Sequence, residues 1–190
     1  MLTPPNRSKK RILMAFQSLL RHRDYCDITV ADLIEQANIG KTTFYRHYSR
    51  KLDVFVELHQ QVFSRLLEAY ATPEQWLNSH PPPSLVSMLE IINHDGGFRR
   101  SLPYQLGNDW NQASKLLKGD LAKQIARKLT EAFKTQRFDI EITELSGTLA
   151  ALIIEVLAQV VEGPKRSSVN DKAATLQRLI QALVRAAITP

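Results

Sequence analysis

The sequence predicts an all-α protein of about nine helices, and three observations carry that prediction. Long segments repeat apolar residues every three or four positions, as in Leu117, Leu121, Ile125 and Leu129. No segment alternates apolar and polar residues as a half-buried strand does. The breaks fall at proline, glycine and asparagine, which punctuate helices rather than sheets. A chain of 190 residues that is 44% hydrophobic is long enough to bury real cores.

The elements follow in order. Met1 to Asn6 holds two prolines and reads as a loose arm. Ser8 is the expected cap of a first helix with Ile12, Phe16, Leu19 and Leu20 on one face. Arg7, Lys9, Lys10 and Arg11 then crowd its start, the unfavourable end of the helix dipole. Phosphate nearby would offset that cost, and solvation is the alternative. The Asp24–Ile28 link carries Cys26, the single cysteine, which excludes an internal disulfide. A packed or half-exposed structural thiol is expected there, with a redox role left open.

Thr29 caps a second helix with Asp32 as its partner acid, and Leu33, Ile34 and Ala37 form its apolar side. Asn38-Ile39-Gly40 makes a sharp turn, because asparagine and glycine accept positive φ. A third helix, Lys41 to Tyr48, displays Lys41, Thr42, Thr43, Tyr45, Arg46 and His47, followed by Arg50 and Lys51, with no acid among them. A fourth runs from Leu52 to Tyr70 with Leu52, Phe55, His59, Val62, Phe63 and Leu66 on one side, and His59 reads as a core residue. It stops at Thr72-Pro73, and an extended linker through Pro81-Pro82-Pro83 follows.

Ser84 restarts a helix carrying Leu85, Met88, Leu89 and Ile92, which ends at Asp95-Gly96-Gly97. A short element spans Phe98 to Leu106. Two long helices cover Asn108–Phe138 and Thr143–Glu162, the second stopped by Gly163-Pro164. The last begins at Asp171 and presents Leu176, Leu179, Ile180, Leu183 and Ala187. The most apolar stretch, Thr148 to Val161, is interrupted by Glu155 and Gln159 and reads as too short to span a bilayer. With no apolar signal segment at the start, a cytoplasmic protein is expected.

Thr29 to Lys51 has the organisation of a helix-turn-helix, in which the second helix enters the major groove and the first braces it. Charge agrees: residues 1–51 hold ten Lys/Arg against four Asp/Glu, and the remainder fifteen against fifteen. A basic head of that kind attracts duplex DNA. Enzyme motifs are missing: there is no phosphate-binding glycine loop, no His-Glu-x-x-His and no Gly-x-Ser-x-Gly. No metal or cofactor is expected.

Residues Thr29 to Phe55 closely resemble the DNA-binding signature of the TetR family of bacterial transcriptional regulators. Thr29-Val30, the run Thr43-Phe44-Tyr45-Arg46-His47-Tyr48, and Lys51 carry the match, which extends over roughly residues 8 to 66. Two positions depart. Asn38 stands where glycine is usual, and Gly40 replaces the usual serine cap of the recognition helix. The resemblance implies a three-helix DNA-binding domain over 1–51 and a ligand-binding and dimerisation domain over 52–190. Thr29, Lys41, Thr42, Thr43, Tyr45, Arg46, His47 and Lys51 are then the candidate DNA contacts, with Lys41, Thr42 and Thr43 toward bases and Tyr45, His47 and Lys51 toward phosphates. Phe44 and Tyr48 are braces.

The resemblance also implies a small, largely apolar effector, bound between the fourth helix and the helices from Ser84 to Phe138. Tyr70, Trp76, Met88, Phe98, Tyr104 and Trp110 are the candidate lining. It implies a homodimer through the last two long helices, with Leu145, Leu149, Leu152, Ile153, Val156, Val160, Leu176, Leu179, Ile180 and Leu183 at the interface. The expected function is a repressor released from a palindromic operator by its effector. A constitutive or architectural DNA-binding dimer shares the same head, and a small-molecule enzyme is the remaining alternative.

Overall fold

The structure, a computed structural model, describes residues 4–94, 105–162 and 168–188. Among them are helices α1 (Pro4–Leu20), α2 (Val30–Ala37), α3 (Lys41–His47), α4 (Lys51–Leu67), α5 (Pro73–Trp76), α6 (Pro83–His94), α7 (Trp110–Ala132), α8 (Ile142–Glu162) and α9 (Val169–Ala187). Short 3₁₀ turns occupy Tyr25–Asp27 and Gly107–Asp109. No strand occurs among the described residues. One isolated bridge joins Phe138 to Ile188, with the Asp139 N–H donating to the Ala187 carbonyl at 2.9 Å.

α1 to α3 and the start of α4 close around Ile12, Phe16, Tyr25, Ile28, Leu33, Phe44, Leu52 and Phe55, all buried. That makes the head. The body is layered: α7 packs between α4 and α8, while α9 covers α8 and α6. Leu117, Leu121, Ile125 and Leu129 of α7 are buried, and Leu145, Leu149 and Ile153 of α8 with Leu176, Ile180 and Val184 of α9 complete the core. The head and body cores are continuous.

Several elements differ from expectation. α1 starts at Pro4 rather than Ser8, because proline is tolerated in a first turn whose N–H groups lack helical partners anyway. Lys9 and Arg11 therefore sit along the helix, not at its start. Lys9 pairs with Glu57 of α4 at 2.9 Å, and Arg11 donates to the Asn38 carbonyl at 2.6 Å. The expected extended linker contains α5. Thr72-Pro73-Glu74-Gln75 is a capping box, with the Gln75 carbonyl oxygen accepting from the Ala71 and Thr72 N–H groups. α4 ends at Leu67 and α7 at Ala132, short of the expected ends at Tyr70 and Phe138. α9 starts at Val169, where Ser168 accepts from the Asp171 N–H at 3.3 Å.

α8 also corrects a length argument. Ile142–Val160 is long and apolar enough to cross a membrane by length and composition alone, although it packs against α7 and α9. Residues 95–104 and 163–167, and with them the expected stops at Asp95-Gly96-Gly97 and Gly163-Pro164 and most of the Phe98–Leu106 element, lie outside the described residues.

Candidate nucleic-acid interface

α2 is fixed at both ends by its own sequence. The Asp32 N–H donates to the Thr29 hydroxyl at 3.1 Å, and the Asp32 carboxylate accepts from the Thr29 N–H at 2.7 Å and its hydroxyl at 2.8 Å. Arg23 lies 3.3 Å from the same carboxylate. These contacts, the Thr29 backbone N–H first, hold the Asp32 carboxyl down at about 2 from an ordinary 3.8. A carboxyl depressed on folding contributes stability that is present above about 3.8 and lost as pH falls toward about 2. Asp32→Asn should flatten that part of the acid-unfolding curve, followed by circular dichroism, and leave the curve above pH 5 parallel to the wild type.

At the other end of α2, Asn38 takes φ 48° and ψ 59° and turns the chain. Its side chain tolerates the left-handed region that most residues avoid. Gly40 then caps α3 with extended backbone and no side-chain hydrogen bond.

α3 divides by face. Phe44 is fully buried, edge-on to Tyr45 at 5.4 Å and tilted on Tyr48 at 6.0 Å. Tyr48 is buried too, and its hydroxyl donates to Glu57 at 3.0 Å. Opposite them, Lys41, Thr42, Tyr45 and Arg46 are exposed and line one open concavity; Tyr45, half exposed at 50%, is a large ring facing water. Thr43 and His47 are half-buried, and His47 Nε2 is buried without a hydrogen-bond partner.

Two candidate contacts also have partners within the chain. Thr29 is exposed and makes its capping box. Lys51 turns into the head: its ammonium donates to the carbonyls of Tyr25 and Ile28 at 2.7 Å each and of Cys26 at 3.4 Å, and stands 4.2 Å over the Tyr25 ring. Burial lowers the Lys51 pKa. The 3₁₀ turn Tyr25–Asp27 ends with carbonyls aimed at the first residue of α4, so a lysine there meets them before it meets solvent. Cys26 is exposed rather than packed, its thiol 3.7 Å from the Asp27 carboxylate. His59, expected in the core, is half-buried, its Nδ1 at 2.8 Å from the Phe55 carbonyl, and burial lowers its pKa.

The effector candidates separate. Tyr70 and Trp76 are buried with ring centroids 4.6 Å apart, and Met88 is buried on α6. The Tyr70 hydroxyl turns to α9, donating to Gln177 Oε1 at 2.6 Å. The residues just after α5 are tied to the same helix: Gln177 and Gln181 of α9 donate to the carbonyls of Asn78 at 2.8 Å and Leu77 at 2.5 Å. Trp76 Nε1 is buried with no acceptor. Trp110 is half-buried at the start of α7, and Phe98 and Tyr104 lie outside the described residues.

Of the dimer candidates, Leu145, Leu149, Ile153, Val160, Leu176 and Ile180 fill the core of the single chain. Leu152, Val156 and Leu183 are half-buried, and Leu179 is 43% exposed.

Sequence reasoning missed two ties between head and body. Tyr25 donates its hydroxyl to Asp109 at 2.6 Å, and Arg50 donates to Gln112 Oε1 at 2.9 Å. Their partners lie 84 and 62 residues apart, so no local pattern announces them.

No protein-family model matches the chain. It is 21% identical over 184 residues to an HTH-type transcriptional regulator of Bacillus subtilis, YdgC, with 93% of this chain and 91% of that protein covered. Among solved structures it is similar to a TetR transcriptional regulator from Streptococcus agalactiae, at 26% identity, TM-score 0.53, and 93% and 94% coverage. The Thermus thermophilus FadR, a TetR-family repressor solved with lauroyl-CoA, aligns at 21% identity and TM-score 0.58 over 96% of each chain. The likeness runs through head and body together.

Proposed function

Because this chain has the fold of the TetR-family regulators from head to last helix, we infer that it is a DNA-binding transcriptional regulator. It acts in the cytoplasm as a homodimer, holds a palindromic operator as a repressor, and releases it when a small effector binds the body. The observation that carries the reading is α3: one helix face presents Lys41, Thr42, Tyr45 and Arg46 to solvent with no acid, over a buried Phe44. Donors of that kind match major-groove base edges and the phosphates beside them. Lys41, Thr42 and Thr43 take the bases, and Tyr45, Arg46 and His47 the backbone.

Selection from a random duplex pool tests it. The expected product is a palindrome whose half-sites lie about one helical turn, roughly 34–36 Å, apart. Recovery of unrelated sequences at equal affinity would reduce the protein to a non-specific binder.

The homodimer is proposed from α8 and α9. Only 28% of the most apolar window of α8 is buried within one chain, and large uncovered apolar faces mark interfaces. Of the expected interface residues, Leu152, Val156, Leu179 and Leu183 have surface left for a second copy. Leu152→Glu should yield a folded monomer by sedimentation, with operator affinity far below wild type. An unchanged dimer would move the interface off this face.

The effector is proposed to lie in the body near Tyr70 and Trp76. The FadR structure with lauroyl-CoA supports a helical body of this fold accepting an acyl ligand. A chain with lower DNA affinity when liganded must also bind effector more weakly on DNA, by the same factor.

A further inference from the structure

α4 and α7 leave the head side by side. Arg50, the residue before α4, meets Gln112 in the first turn of α7, and further along the Gln124 amide donates to the Gln60 carbonyl at 3.3 Å. α4 is joined to α3 through the chain. The start of α4 is packed into the head core through Leu52 and Phe55, so the head turns with that end of α4 and the single helix alone bears its tilt. A second strut attached off that axis fixes the tilt.

Tyr25 is where the second strut attaches. It lies in the turn that joins α1 to α2, so a displacement there moves the helix that braces α3. Its ring packs edge-on against Phe16 of α1 at 6.2 Å and Phe55 of α4 at 5.3 Å. Its carbonyl accepts from Lys51. Its hydroxyl leaves this cluster and donates to Asp109, immediately before α7.

We propose that Tyr25 and Asp109 set the angle of the DNA-reading head on the body, and so decide which half-site spacing the dimer accepts. The proposal rests on the dimeric DNA-binding reading above. Both are positioning residues: they act on DNA through α2 and α3. Burial, followed by the Asp109 hydrogen bond, raises the Tyr25 pKa, so the phenol stays a donor at every physiological pH. The Tyr25 ring is buried while Asp109 is half-buried, and a carboxylate acceptor makes the bond stronger than a neutral pair.

One base pair added between half-sites shifts one of them by about 3.4 Å and rotates it by about 35°. Heads at a fixed angle leave the duplex to absorb that by twisting, which costs affinity; heads free to tilt absorb it themselves.

The test uses the full-length protein and the duplex selected by the wild type, with spacing changed by one base pair either way. Wild type is expected to lose about tenfold or more on the altered spacings. Tyr25→Phe, which keeps the ring, should bring the three duplexes within about threefold of one another. Asp109→Ala should do the same, and the double variant no more than either.

Hydrogen exchange supplies a readout that needs no DNA: amides of α2, α3 and the first turn of α7 should exchange faster in Tyr25→Phe, with α8 and α9 unchanged. A Tyr25→Phe protein that melts lower but keeps wild-type spacing preference overturns the proposal, because the bond is then only structural. Additive effects of the two variants overturn it as well. If the wild type selects no duplex, the DNA-binding reading fails, and unchanged exchange over Lys41–His47 in Tyr25→Phe overturns the tie.

Discussion

Phe44→Ala should abolish binding to cognate and scrambled duplexes alike, because it removes the head rather than a contact. Phe44 is the only residue of α3 that is fully buried, and it meets Tyr45 and Tyr48 ring to ring. α3 has seven residues and a glycine cap with no side-chain hydrogen bond, too short a helix to persist without packing. A buried phenylalanine cut to alanine costs about 3–5 kcal/mol, comparable with the stability of a small helical head. Circular dichroism should show lost helix, and a heat scan an early transition for the head ahead of the body. Phe44→Leu should restore most of both. A Phe44→Ala protein with native helix content that has lost sequence preference alone would place Phe44 in the groove instead of the core.

Lys51→Ala should fail by a different route from the one its sequence position suggests. A lysine at the head of α4, just beyond a basic recognition helix, reads as a phosphate grip; its loss would then weaken all duplexes equally and lower the salt exponent by about one. In the folded chain its ammonium is held by the Tyr25, Cys26 and Ile28 carbonyls. Alanine leaves those acceptors short of a charged donor, worth about 1.5–3 kcal/mol per well-made bond before water repairs part of the loss. The expected result is a lowered thermal midpoint for the head. The salt exponent of the fraction still folded should match the wild type. A salt exponent reduced by about one with stability unchanged would return Lys51 to the phosphates.

Lys51 also marks where the sequence stops being informative. Much that is local was legible: the Thr29–Asp32 box, the turn at Asn38, the inward Phe44 and Tyr48, and the long apolar stripes. Each depends on residues within about one helical turn of one another. The start of α1 was misread because Ser8 is a good cap and Pro4-Pro5 looked like a loose arm, although proline fits a first turn. The capping box at Thr72 hid behind the expectation that Pro73 ends a helix rather than begins one. For α8 and α9, the stripes named apolar residues without saying which neighbour covers them. Leu149 and Leu152 belong to one stripe, yet the first is sealed inside the chain and the second is partly open. The Tyr25–Asp109 and Arg50–Gln112 ties had no local pattern at all, since only the packed fold brings their ends together.

The open flank of α8 has a consequence for dosage. If a second copy covers it, assembly and DNA reading are linked through protein concentration, because what binds the folded chain stabilises it by mass action. Below the dissociation constant of the pair, dimers grow as the square of the chain concentration. Halving the cellular amount then cuts the reading-competent species about fourfold. On the proposed repressor reading, a small change in expression would empty the operator much as an effector would.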